Sequence, residues 1–236
     1  MTAPLTPVGR ALLTVGSALV TFANPARADT LAVLGDLTSG PALHHLTNRI
    51  KRSHEGRQML QTLTPARFPE HGSGSLPELR ALPAGTLGRE YARFMDDRRF
   101  VPESRAVVRF VEDDTHRWVM QRYRDVHDLW HVLTAMPTTL LGETAQKLFE
   151  ASQTGLPVTF LASVAGTARI GRKNRQILFS ELVPWALSCG RGATDLLAIR
   201  YEDYLDRDLN ELRTKWNITV PDVQLKGMKS RPSTKT

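Results

Sequence analysis

His127 and His131 stand four residues apart, and Glu143 follows after eleven more, in a chain of 236 residues. On a helix, a spacing of four puts both imidazoles on one face, about one turn apart. That is the spacing two histidines need to share one metal ion. Asp128 lies about 100° round the helix from His127, near enough to be a fourth ligand or an acid beside the site. Two imidazoles and two carboxylates form a nitrogen–oxygen donor set. It suits zinc with an open coordination position, or another divalent metal such as iron or manganese. The plainer reading is a chance pair of histidines on a surface or in a core. The neighbouring residues favour the metal. Tyr123, His127 and His131 fall in one row beside an apolar stripe, so the imidazoles face the interior, where a neutral ring needs a partner. Met136-Pro137 then forces a turn, and a helix returning from it carries Glu143 back over the histidines. Phosphohydrolases of the HD type also use His and Asp on helices around metals. They need a separate upstream histidine, and the candidate here, His116, is too close for that role.

Helices must position this set. Asp113 or Asp114 opens a long one running through Ala135, with Val119, Tyr123, Val126, Trp130 and Leu133 as its apolar stripe. Thr138 or Thr139 caps the next, which runs to about Ser152 and breaks at Gly155-Leu156-Pro157. Ser39 and Pro41 open an earlier helix toward Arg52, with Leu43, Leu46 and Ile50 on one face. Residues 65–86 read as a proline- and glycine-rich loop, after which Thr86 caps a helix with Glu90 near its first turn. Apolar segments follow at 158–165 and 176–189, the second with a kink expected at Pro184, and a last amphipathic helix spans 202–216. No alternating strand pattern and no internal repeat is visible. The expected fold is therefore all-α.

Composition removes several classes. Hydrophobic residues make up 41% and charged residues 23%, which argues against disorder throughout. Cys189 is the one cysteine, so an internal disulfide and a cysteine-based zinc site are excluded; it reads as a buried apolar residue. Lys and Arg number 31 against 24 Asp and Glu, a net charge of +7 that favours an anionic partner. Aromatics are only 7%, too few for the stacking platform of a single-strand nucleic-acid binder. Nucleic acid is not an expected partner.

The stretch from Ala11 to Ala23 is the most apolar, but a bilayer crossing takes about 20 apolar residues. Three readings compete on the residues alone. It is a signal peptide with Arg10 as its charged region, part of a mitochondrial presequence with no acid before Asp29, or a core or membrane-surface helix. Thr6 as a cap and Pro7 at the first turn mark a helix start. After Asp222 the chain carries Lys226, Lys229, Arg231 and Lys235 and no acid, a basic tail.

His127-Asp128-x-x-His131-x11-Glu143 resembles the signature of the Coq4 family of ubiquinone biosynthesis proteins. Its surroundings are similar too: Arg122-Tyr123-Arg124-Asp125-Val126 before it, then Gly142, Gln153-Thr154-Gly155-Leu156-Pro157 and Ser180-Glu181-Leu182-Val183-Pro184-Trp185-Ala186. Upstream, Ala32-Val33-Leu34-Gly35-Asp36 and Leu87-Gly88-Arg89-Glu90-Tyr91 also match. The resemblance runs from about Pro4 to Gly227, with no departure inside the motif.

The resemblance implies a single helical domain over residues 1–227, followed by a basic tail at 228–236. Pro7 to Asn24 becomes its first helix, and the signal-peptide reading falls. It further implies a His/Asp/Glu metal site on a helix pair beside a hydrophobic lipid channel, and a homodimer. The implied location is the matrix side of the mitochondrial inner membrane, as a peripheral protein. The implied activity is that of a carboxy-lyase. It removes the C1 carboxylate from a 4-hydroxy-3-methoxy-5-polyprenylbenzoate, with or without hydroxylation at C1. His127, His131 and Glu143 would hold the divalent metal, zinc first with iron, manganese or cobalt as alternatives, and Asp128 would be a ligand or the catalytic acid–base. Other ubiquinone biosynthesis enzymes and an anionic lipid surface are the implied partners. The apolar first helix and the segment with Arg169, Arg172, Lys173 and Arg175 are candidates for lipid contact, or else a core helix and a solvated charged face. The rival reading is a non-catalytic, prenyl-lipid-binding scaffold of the same complex with a structural metal.

Overall fold

Apolar residues at spacings of three and four run through most of the chain, and each such run is a helix. The computed structural model describes residues 6–23, 28–62, 75–223 and 225. Among them the α-helices are α1 (Pro7–Ala23), α2 (Ala28–Thr38), α3 (Gly40–Ile50), α4 (His54–Thr62), α5 (Leu76–Ala81), α6 (Leu87–Arg98), α7 (Asp114–Thr134), α8 (Leu140–Thr154), α9 (Pro157–Arg169), α10 (Arg172–Ile177), α11 (Val183–Gly192) and α12 (Leu209–Lys215). Short 3-10 turns link some of them, and no strand occurs among the described residues beyond one isolated bridge, Thr86 to Asp208. The all-α, single-domain expectation holds. The basic tail at 228–236 lies outside the described residues, as does the 65–74 part of the expected 65–86 loop; its later part holds the short helix α5.

Helix α7 is the axis of the core. Asp113 caps it by accepting from the His116 amide, and Val119, Val126, Trp130 and Leu133 are fully buried on its predicted face. The helices α3 and α6 pack against it, α3 through Leu43, Leu46 and Ile50. Burial of such a side chain stabilises by about 1.5–3 kcal/mol, so this face alone commits α7 to its place. On the other flank α8 packs closely against α9 and α11. A Cβ at Gly166 of α9 would run into the Thr144 side chain, so only glycine allows that approach. Between α7 and α8 the backbones stay apart, and polar and aromatic side chains fill the gap.

Two expected elements differ. The helix expected over 202–216 is a 3-10 turn at Tyr201–Tyr204 and then α12. Asp208 separates them because its carboxylate accepts from the Asn210 and Glu211 amides and starts a new helix. The kink expected at Pro184 is a π turn, Leu178–Leu182, directly before it. Proline has no N–H to give the preceding turn and its ring crowds the carbonyl four residues back, which a widened turn relieves.

The first helix begins at Pro7 as predicted, with Thr6 accepting from the Gly9 amide. Its packing is unusual. Ser17 and Thr21 are buried, whereas Val8, Leu12, Val15 and Leu19 form an exposed apolar stripe. Among the described residues no helix is long and apolar enough to cross a membrane.

Candidate metal centre

Helix α7 ends two turns after His127. Ala135 takes a left-handed conformation (φ 56°) that stops the helix and turns the next carbonyl back. That carbonyl, on Met136, receives the Nδ1–H of His131 at 3.0 Å. Pro137 follows, and Thr139, not Thr138, caps α8 by accepting from the Gly142 amide. Gly142 packs its α-carbon against Pro137, where a Cβ would strike the proline carbonyl. This tight corner swings Glu143, in the first turn of α8, over the two histidines. The His127 and His131 rings lie 4.8 Å apart at 83°, and Glu143 Oε1 is 3.4 Å from His131 Nε2. One ligand atom from each of the three lies within 4.8 Å of the others.

The donor set fits a cation. A carbonyl only accepts, so His131 uses Nδ1–H there and turns its Nε2 lone pair toward Glu143. That Nε2 is buried with no hydrogen-bond partner. A lone pair facing a carboxylate is stable only with a proton or a metal ion between them. In the metal-free chain the Glu143 carboxylate favours a proton there. Burial disfavours the imidazolium of His131, but the Glu143 carboxylate 3.4 Å away outweighs it and raises the pKa. Burial likewise pushes Glu143 up, yet His131, His127 and Lys147 bring it down to about 2. A divalent cation would take that proton's place. Glu143 remains about one-third exposed, so the group opens toward solvent on one side.

Asp128 lies outside this group. Its Oδ2 is held by Arg105 through Nε at 3.0 Å and Nη2 at 2.7 Å, and Nη2 also donates to the Tyr91 hydroxyl at 2.7 Å. Burial would raise the Asp128 pKa, but His127 and Arg105 lower it on balance. Burial pushes the Tyr91 phenol up to about 12. The Phe94 ring stacks on His131 at 5.7 Å, and the Arg98 guanidinium sits 3.8 Å above Phe94, so α6 walls one side of the site. His116 is far from this chemistry, edge-on to His44 at 6.1 Å in the first turn of α7. The HD-type reading gains nothing from it.

Sequence reasoning missed a second carboxylate. Glu150 is completely buried and accepts from the Tyr123 hydroxyl at 2.5 Å, Lys147 Nζ at 2.7 Å and His127 Nδ1 at 2.8 Å. Lys147 and His127 hold its pKa far below the carboxylate range against the cost of burial, and Glu150 in turn holds Lys147 well above its own. A signal was available: Glu143, Lys147 and Glu150 recur at four and three along α8, a single helical face. Arg105 had none, because it follows a 3-10 turn in an irregular stretch. Two cavities of about 500 and 620 Å³ line other parts of the surface, and neither includes a residue of the His–His–Glu group.

The family profile described as "Coenzyme Q (ubiquinone) biosynthesis protein Coq4" matches residues 1–222. The human ubiquinone biosynthesis protein COQ4 homolog, mitochondrial, is 42% identical over 227 residues, covering 95% of this chain and 84% of that protein. The zebrafish (Danio rerio) homolog is 43% identical, covering 94% and 81%. A crystal structure from Nostoc punctiforme superposes with a TM-score of 0.68 at 20% identity, covering 86% of this chain and 95% of that one, and so shares the fold.

Proposed function

The chain belongs to the Coq4 family of coenzyme Q (ubiquinone) biosynthesis proteins, and from that premise we propose that it is a metal-dependent carboxy-lyase acting on a 4-hydroxy-3-methoxy-5-polyprenylbenzoate. Family membership supports the coarser statement, a role in ubiquinone biosynthesis. The observation that carries the finer one is the buried, unpartnered Nε2 of His131 facing Glu143 beside His127. Three protein ligands with an open side are the pattern of a catalytic zinc site, whereas a structural site is closed by four. The fourth candidate, Asp128, is bound to Arg105 instead, which argues against the scaffold with a structural metal.

A divalent cation held by His127, His131 and Glu143, which we assign as zinc, supplies Lewis acidity to the substrate's phenolate or carboxylate. The chain's own residues do the rest. Arg105 keeps Asp128 ionised at neutral pH, so Asp128 starts as a proton acceptor. We assign it as the base that takes the proton of the substrate's 4-hydroxyl. The phenolate then pushes electron density through the ring to C1. C1 takes up a proton from water on the open side of the site, the bond to the carboxylate breaks, CO₂ leaves, and the released pair restores the phenolate, which recovers its proton from Asp128. General acid–base help of this kind contributes about 10²–10⁴-fold. Phe94 and Arg98 close the α6 side against water.

The tail must leave a bilayer at about 0.8 kcal/mol per buried CH₂. Phe160, Leu161 and Val164 of α9 are exposed, and Arg169, Arg172, Lys173 and Arg175 follow them on the surface. We assign this apolar and basic face to an anionic lipid surface, and the lipid channel to its neighbourhood. The named relatives are mitochondrial. The matrix face of the inner membrane, a homodimer, and contact with other ubiquinone biosynthesis enzymes complete the proposal.

Turnover tests it. Purified chain is loaded with zinc, iron, manganese or cobalt and given the polyprenylated substrate in nanodiscs, and product mass is followed with and without O₂. Metal-dependent loss of the carboxylate, absent in His131→Ala, is the expected result. An oxygen-dependent mass gain would mark C1 hydroxylation. No product from metal-loaded protein, alone and with the partner enzymes, would overturn the proposal.

A further inference from the structure

We infer that Glu150, balanced by Lys147 and Tyr123, is a positioning residue that fixes the tautomer of His127 so that its Nε2 faces the metal. The inference rests on the metal site proposed above. Glu150 divides its two oxygens. Oε2 receives the Tyr123 hydroxyl and Lys147, and Oε1 faces His127 Nδ1 at 2.8 Å. An ionised carboxylate has no hydrogen to give, so His127 must carry its proton on Nδ1. The lone pair is then on Nε2. Lys147, a donor only, lies 3.2 Å from Nδ1 and on its own would favour the other tautomer. It donates instead to Glu150 Oε2 at 2.7 Å and to the Tyr123 hydroxyl at 3.2 Å. That leaves Glu150 Oε1, the nearer group at 2.8 Å, to take the Nδ1–H. The Met136 carbonyl does for His131 what Glu150 does for His127. Both rings therefore present Nε2 to one point, each locked by an acceptor on its far side. Ligating histidines are oriented this way in general, and losing the outer partner typically weakens metal binding about 10–100-fold.

Lys147 has a further part. Glu150 is completely buried, and a lone charge there would be costly. Lys147 lies one turn from both acids of α8, Glu143 and Glu150. It cancels Glu150, so Glu143 supplies the one uncancelled carboxylate of the ligand set. Removing Glu150 alone would strand Lys147 and endanger folding, so the test removes both charges at once.

The double variants K147M/E150M and K147M/E150Q are compared in the full chain. Glutamine keeps an acceptor for the Nδ1–H, and methionine keeps only bulk. Zinc affinity is read by competition with a chelating dye, and the visible d–d bands of the cobalt(II) form report ligand geometry. The expected result is a zinc Kd raised about 10–100-fold in K147M/E150M, with altered cobalt bands, and restored most of the way in K147M/E150Q. Val119→Ala, a core truncation that lowers Tm, should leave Kd and bands as in the wild type. Equal zinc Kd in K147M/E150M and the wild type would overturn the inference. So would equal weakening in both double variants, or in Val119→Ala, since a merely structural role predicts that. A wild-type chain that binds no zinc at all would defeat the metal site itself, which is a separate outcome.

Discussion

Two carboxylates on one face of α8 meet opposite fates. Glu150, in the middle of the helix, is sealed from water and holds three partners at hydrogen-bond distance. Glu143, two turns earlier, is partly exposed and has one neighbour at 3.4 Å, a histidine nitrogen with no proper hydrogen bond. A completed network rigidifies a core; an incomplete one at an open edge is where a ligand belongs. The contrast teaches which acid is locked into the fold and which is left open to the proposed metal.

The largest effect should come from breaking the sealed side. Glu150→Ala leaves Lys147 buried without its counter-charge and should cost about 3–5 kcal/mol in urea unfolding. Glu143→Ala in the metal-free chain should cost less than about 1 kcal/mol. Equal losses would erase the distinction. Zinc narrows the gap: at about 100 times Kd it should stabilise the wild type by about 2.7 kcal/mol, an increment that Glu143→Ala forfeits. If Glu143→Ala keeps the increment, Glu143 is not a ligand. Next is the corner that aims Glu143. Thr139→Ala removes the α8 cap and should cost about 1 kcal/mol. A neutral result in thermal unfolding would show that Gly142 and Pro137 hold the corner alone.

The smallest effect is in the pH profile of the metal-free chain. The Glu143 pKa is depressed to about 2, so its contribution is full above about 4.5 and fades as pH falls toward 2. The His131 pKa is raised, so its contribution is full below about 6.5 and is lost as pH rises through the folded value. Their shared stabilisation therefore spans roughly pH 4.5–6.5 and declines on both sides. Solvent around Glu143 keeps it modest. In His131→Ala the alkaline limb should vanish and the acid limb should shrink, since His127 and Lys147 still hold Glu143 down; a retained alkaline limb would assign it to another group.

Much of this site was legible in the sequence because it is local. The Val119, Val126, Trp130 stripe set the face of α7, Met136-Pro137 set the turn, and a spacing of four set the histidine pair. The rest depends on contacts between distant segments. Asp128 gave no sign of Arg105, 23 residues earlier in irregular chain. Thr6 and Pro7 announced the first helix, but an apolar run does not say which side is covered; the core side of α1 is Ser17 and Thr21, and Val8, Leu12, Val15 and Leu19 are exposed. Helix 202–216 failed because apolar spacing continued across Asp208, whose side chain competes for backbone amides.

The central claim is that His127, His131 and Glu143 together hold one metal ion, and X-ray absorption at the zinc edge tests it most directly. The zinc-loaded full chain should carry one equivalent, with two histidine nitrogens at about 2.0–2.1 Å and carboxylate or water oxygens at about 2.0–2.2 Å, and His131→Ala should lose the metal. A first shell without imidazole nitrogens, or a full equivalent retained by His131→Ala, would contradict the account.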